Sequence, residues 1–123
     1  MPKLFDKGSI GSLKLKNRVF MSPMNVGGNN DTDGCLSQRG IDYFVERAKG
    51  GVGAIVTGAV RVTREFERDK NTIPVWMLFA DHMVHGKWIS TLAERCHDYG
   101  CKLFIQITLG GVELPVLMLK NTG

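Results

Sequence analysis

Apolar positions follow two different rhythms along this chain, and the switches between them predict its elements. "RVFMSPM" sets Val19, Phe20 and Met21 side by side and then meets Pro23. A short apolar run predicts a buried strand, and proline, which cannot donate to a ladder, ends it. From Ile41 the spacing turns helical: Ile41, Phe44, Val45 and Ala48 share one side, while Asp42, Glu46, Arg47 and Lys49 take the other. Ser37 is placed to cap this helix and Gly50-Gly51 to close it. "VGAIVTGAV" returns to a β-branched run between glycines, a second strand buried on both faces. A second helix follows, with Asp81 as its expected cap, Val84, Trp88, Leu92 and Cys96 as its stripe, and Gly100 at its end. "KLFIQITLGG" is the third buried strand. Upstream, "GSIGSLKLKN" alternates Ile and Leu with small or basic residues and predicts a short hairpin.

The order strand, helix, strand, helix, strand, with no polar strand face, predicts a parallel α/β sheet with right-handed crossovers. A long polar connection runs from Arg61 to about Pro74, and "VELPVLMLKNTG" follows the third strand. Val19, Met21, Ile55 and Ile105 are expected to face away from the helices, towards an interior with no opposite wall. Three parallel strands and two helices leave edges and apolar faces uncovered. A closed (β/α)8 barrel needs roughly 250 residues, and this chain has 123. It is therefore read either as a very small open sheet or as the first part of something larger.

Composition changes that picture little. The apolar share of 43% and the charged share of 23% are those of a globular domain. The net charge of +4 is spread among acidic residues, as in "REFERDK", which reads as a solvated face and gives no nucleic-acid surface. "MPKLFDKGSIG" has no apolar segment of the secretory kind, and "IPVWMLFA" and "LPVLML" are too short to span a bilayer. Cys35, Cys96 and Cys101 form no CxxC pair, so reduced thiols in a cytoplasmic setting are expected.

Several features are decoys. "NNDTDG" opens like a calcium loop, but position twelve would be Gly40 where a bidentate glutamate is required. His82 and His85 sit three apart on the second helix and are expected to face solvent, and with Cys96-His97 they make no four-ligand metal set. Cys96, Cys101, Trp76, Trp88 and Phe104 are expected to be core.

In a parallel α/β protein a ligand sits beyond the carboxyl ends of the strands. Those exits carry "SPMN" (Ser22, Pro23, Met24, Asn25), "TGA" around Gly58, and "QITLGG" opening on Gln106. Pro23 stiffens the backbone, and Gly58 admits something flat where a side chain would block it. The amide of Gln106 both donates and accepts, which suits a heteroaromatic edge of alternating carbonyl and N–H groups. Packing explains the same residues in another way: glycine for tight strand contact, glutamine satisfied by backbone.

The same residues carry a family resemblance. "LFDKGSIGSLKLKNRVFMSPMN", "YFVERAKGGVGAIVTGAV" and "GCKLFIQITLGG" together resemble the Old Yellow Enzyme family, in its NADH:flavin oxidoreductase, enoate and 2,4-dienoyl-CoA reductase branch. "LKNR" shortly before "SPM" is the specific signal, and the terminal "LPVLMLKN" also resembles a loop of that branch. The resemblance implies a (β/α)8 TIM barrel with an N-terminal hairpin, of which residues 1–123 would supply the first three βα units of a single FMN-binding domain. It implies FMN at the mouth, with Ser22, Pro23 and Met24 lining it through backbone, Gly58 facing the rings and Gln106 bonded to the pyrimidine edge. Asn25 stands where many relatives have threonine or cysteine near flavin O4, and Leu109 where many have a polar residue.

The implied reaction passes hydride from NADH or NADPH through the flavin to an activated alkene such as an enoate or enoyl thioester. The implied catalytic and substrate-binding residues belong to later strands and map onto nothing here, as do the iron–sulfur and FAD regions of longer members. This chain alone is expected to be inactive. The implied partners are a small-molecule alkene, with no nucleic acid or membrane, and a homo-oligomer is left open for the intact protein. Two other readings stand beside this one: a non-catalytic remnant or basic interaction module, and another FMN barrel dehydrogenase.

Overall fold

The computed structural model describes residues 3–63 and 77–109. Trp76, most of the polar connection before it, the glycines after Leu109 and "LPVLMLKN" lie outside the described residues. The hairpin forms as expected: β1 (Gly8–Ile10) pairs antiparallel with β2 (Leu13–Leu15), and Gly11 turns between them at φ 54°.

The chain then enters β3 (Phe20–Met21) over a buried asparagine. Asn17 donates from Nδ2 to the Gly51 carbonyl at 2.7 Å and accepts the Val19 N–H at 3.1 Å. A Cβ on Gly53 would run into Asn17, so the asparagine of "LKNR" and the glycine before the next strand are a matched pair. This contact fixes where two neighbouring strands begin.

Helix α1 (Gln38–Lys49) starts at Ser37, whose Oγ accepts the Gly40 N–H at 3.2 Å and donates to the Asn29 carbonyl at 2.6 Å. Its buried side is Ile41, Phe44, Val45 and Ala48. The loop before it folds as a tight turn: Gly34 N–H donates to Asp31 at 3.1 Å, and Asp31 N–H to Cys35 at 2.9 Å. "NNDTDG" is therefore a turn in which Gly34 takes φ 84°.

Strand β4 (Ala54–Arg61) is the spine of a parallel sheet. Strand β6 (Lys102–Thr108) runs beside it from Ala54↔Lys102 to Arg61↔Thr108. The other edge is shared. β3 pairs at Phe20↔Ala54 and Met21↔Ile55, then leaves, and β5 (Leu78–Phe79) pairs further along at Val60↔Leu78 and Arg61↔Phe79. Sequence pattern did not predict β5, because two residues carry no periodicity.

Helix α2 (Met83–His97) packs with α1 over one face of the sheet. Here three expectations are corrected. Its cap is His82, one residue later than Asp81. Its buried stripe is His85, Trp88, Leu92 and Cys96, so Val84 is left 57% exposed. His85 is buried at 1% exposure and does not face solvent. The stripe steps through 85, 88, 92 and 96, which places a polar residue in the core and an apolar one outside.

The faces of the sheet are also assigned differently. Paired residues of a parallel ladder share a face, so Met21, Ile55 and Leu103 lie together, as do Val56 and Phe104. Met21 and Ile55 join Ile41, Phe44, Val45, Trp88, Leu92 and Cys96 in the core, with Leu103 and Ile105 against it. Met21, Ile55 and Ile105 thus face the helices, and Val19 is half-buried ahead of the strand. The uncovered face carries Phe20, which is 44% exposed, with Val56 and Phe104 half-buried.

Candidate functional site

Because β3, β4 and β6 run parallel, their carboxyl ends open on one edge of the sheet. The chain leaves β3 through exposed Ser22, Pro23 and Met24 and reaches Asn25. Asn25 Oδ1 accepts the Ala59 N–H of β4 at 2.9 Å, a side chain standing in for the ladder bond that β3 no longer makes. From the other side, Gln106 is the register partner of Ala59. Ala59 thus joins the two amide residues of the mouth.

Gly58 is where the chain comes closest to itself. A Cβ there would lie 2.5 Å from the Met24 carbonyl oxygen and would also meet Asn25 Oδ1. The room that the glycine leaves is filled by the β3 exit. Next to it Thr57, wholly buried, accepts the Gln106 N–H on Oγ1 at 3.3 Å. The Gln106 side chain itself is exposed, and among the described residues its amide makes no hydrogen bond.

Met24, Asn25, Gly58 and Gln106 therefore gather around Ala59, with Ser22 and Pro23 leading in; contrary to expectation Gly58 and Gln106 are not strand exits, because β4 continues to Arg61 and β6 to Thr108. None of these six side chains ionises near neutral pH, so the group can orient and hydrogen-bond a ligand but cannot carry a titrating proton. Its donor chemistry fits a neutral planar heterocycle such as a flavin: Gln106 offers a paired donor and acceptor, and Asn25 has only its oxygen engaged. Thr57 was not singled out in the sequence; a hydroxyl inside the apolar run "AIVTGAV", just before a glycine, was the available signal.

A small cleft of about 10 Å³ lies under the β3–α1 loop and is lined by Met24, Asn25, Asn29, Asn30, Phe44 and Gly58, among others. Gln106 does not line it. Asn29 Nδ2 and Asn30 Nδ2 are buried there without a hydrogen-bond partner.

The titratable groups stand apart from the mouth. His85 Nε2 donates to the Asp33 carbonyl at 3.1 Å, and its Nδ1 lies 3.2 Å from the His82 backbone nitrogen. The Asp81 carboxylate is 3.1 Å from the same Nδ1. Asp33 is held below its ordinary value chiefly by the Cys35 backbone N–H. Burial first, then hydrogen bonding to Asp33, pushes the Cys35 thiol up to about 11. Burial likewise takes Cys96 to about 11 and raises Cys101. All three cysteines are free thiols. Among the described residues no group of three or more His, Cys, Asp or Glu side chains is placed to hold a metal, and no helix is long and apolar enough to cross a membrane.

Comparison with known proteins gives the family and the fold. The family model described as "NADH:flavin oxidoreductase / NADH oxidase family" matches residues 3–122. A cinnamate reductase of Clostridium sporogenes is 38% identical over 122 residues, covering 95% of this chain and 18% of the relative. An NADH oxidase of Thermoanaerobacter brockii is 43% identical over 110 residues, covering 89% of this chain and 16% of the relative. The chain thus spans less than a fifth of the length of these two relatives. The crystal structure of Old Yellow Enzyme from a Pichia species superposes with a TM-score of 0.68 at 25% identity, covering 98% of this chain and 30% of that one. Such neighbours are TIM barrels, and the parallel sheet with its two helices matches part of one. The chain belongs to the NADH:flavin oxidoreductase / NADH oxidase family, of Old Yellow Enzyme type.

Proposed function

We propose that the intact protein carrying this chain is an FMN-dependent ene-reductase, with these residues forming the first three βα units of its TIM barrel. The observation that carries the proposal is the pair of amides around Ala59: Asn25 bonded to its N–H, and Gln106 opposite it with an uncommitted side chain. When bound, FMN supplies the transfer of hydride from NADH or NADPH to an activated alkene. Gln106 would hold the pyrimidine edge, Ser22, Pro23 and Met24 would line the rings through backbone, and Asn25 would offer its NH2 group. Gly58 serves the site by letting Met24 and Asn25 lie against β4. The substrate class is an enoate or enoyl thioester, a reading supported by the family and by a relative named for cinnamate, itself an enoate. The free thiols suit a reducing, cytoplasmic setting. Groups that move protons or bind the alkene would come from the remaining strands, and alone this chain would be inactive.

The test is Gln106→Leu in the intact protein. Removing the amide leaves flavin polar atoms unpaired, which should weaken FMN binding by roughly 1–3 kcal/mol and shift the flavin midpoint potential. Titration of apoprotein with FMN, together with a redox titration, reads both. Wild-type affinity and potential would remove Gln106 from the site.

One observation favours a second reading, that of an interaction module. Phe20, 44% exposed, together with half-buried Val56 and Phe104, gives the uncovered face of the sheet an apolar surface. The adjoining coding sequence separates the two: further βα units with a histidine pair support the enzyme, and none supports the module.

A further inference from the structure

The register of β6 against β4 breaks at one place. Val56 pairs with Phe104 and Ala59 pairs with Gln106, so Thr57 and Gly58 together stand opposite Ile105. This is a bulge of one extra residue on the central strand, and a bulge disrupts the ladder where it occurs. At that point the Gln106 N–H is taken by Thr57 Oγ1 at 3.3 Å. On the other edge of β4, the Ala59 N–H is taken by Asn25 Oδ1 at 2.9 Å. Two side chains thus satisfy backbone donors around the bulge, and Gly58 between them has no room for a Cβ.

Thr57 is wholly buried, and its neighbours Ile55 and Val60 on the same strand belong to the apolar core. Its hydroxyl acts on the backbone of the next strand at the residue whose side chain opens on the mouth. Moving a strand by one residue sends each side chain to the opposite face. The Thr57 hydrogen bond thus sits at the point of the ladder where the pairing of β6 with β4 is reset, on the backbone of the residue whose amide is exposed.

We propose that Thr57 is a positioning residue: its hydroxyl locks the bulge of β4 to β6 and so aims the Gln106 amide at the ligand edge. The inference rests on the flavin reading of Gln106 given above, and the experiment is arranged to separate the two. In the intact protein, FMN dissociation constants and flavin midpoint potentials are measured for wild type, Gln106→Leu, Thr57→Val, Thr57→Ser and the double variant Thr57→Val/Gln106→Leu.

Thr57→Val should weaken FMN binding on the order of tenfold, the equivalent of one hydrogen bond, and move the potential in the direction that Gln106→Leu moves it. Thr57→Ser, which keeps the hydroxyl, should restore both to within about twofold of wild type. The double variant should bind no more weakly than Gln106→Leu alone, because a positioning residue has nothing left to position. If Thr57→Val does not fold, Thr57→Ala replaces it in the same cycle. Effects that multiply in the double variant, or a hydroxyl-free variant that binds FMN as wild type does, would overturn the role of Thr57 while leaving Gln106 in the site. A Gln106→Leu protein with wild-type affinity and potential would overturn both proposals.

Discussion

Cys96 illustrates how little a residue's identity says before its neighbours are known. Its thiol lies wholly buried between α2 and the sheet, and burial holds it up at about 11 against an ordinary 9.0. A thiol raised on folding contributes stability that is fully present below pH 9.0 and is lost as pH rises through 11. The intact protein should therefore lose stability between those values, and Cys96→Ala should flatten that alkaline limb. At pH 8 a disulfide reagent should label Cys96 only after denaturant is added, since the thiolate is the nucleophile. Rapid native labelling followed by mass mapping to Cys96 would contradict the packing. His85 makes the same point from the other direction: helical spacing marked it as a surface residue, yet contacts with Asp33, His82 and Asp81 place it inside.

At the scale of elements, α1 and α2 are joined by a charged contact at the edge of their apolar seam. Arg95 Nη1 donates to Asp42 Oδ1 at 2.7 Å, and Gln38 Nε2 donates to the same oxygen at 2.9 Å. The Arg95 guanidinium first, then the Gln38 amide, holds the Asp42 carboxyl below its ordinary 3.8. A depressed carboxyl contributes stability present above its unfolded value and lost as pH falls through the folded one. Melting temperature should thus fall as pH drops from about 5 towards 3, and Asp42→Asn should remove that part of the acid dependence. An unchanged acid limb in the variant would mean that the exposed pair contributes nothing, as many surface ion pairs do. The helix caps show both sides of legibility. Ser37 was readable because a hydroxyl three residues before a backbone N–H has a local partner. His82 was not, because its backbone N–H meets the side chain of His85, which in turn reaches the distant Asp33 carbonyl.

At the scale of the whole molecule, two helices cover one face of the sheet and the described residues leave the other open. Phe20, Val56 and Phe104 lie on that face, and Ile107 is 67% exposed near the outer edge. Apolar faces and unpaired edges of this kind promote association with another chain. Residues 1–123 expressed alone are accordingly expected to aggregate or to stay loosely packed, without FMN. The checks are the 450 nm flavin band, NADH oxidation and solution size. A monodisperse monomer binding FMN one to one would require the open face to be covered from within these residues.

By itself the sequence determined the alternation of strands and helices, the hairpin, the helical stripe of Ile41, Phe44, Val45 and Ala48, and the family. Each of these depends on periodicities or motifs carried by consecutive residues. It also marked Gln106 and Asn25, because polar amides at the ends of apolar runs stand out. Only the tertiary structure decided which face Met21 and Ile55 present, since a strand buried on both sides has no polar face to break the symmetry. It alone showed that Gly58 admits the chain's own β3 exit, that Asn17 ties two strand starts together, and that Thr57 holds Gln106 across the bulge. Those contacts join residues 33 to 49 positions apart, and no local pattern records which distant backbone a buried hydroxyl or amide will meet.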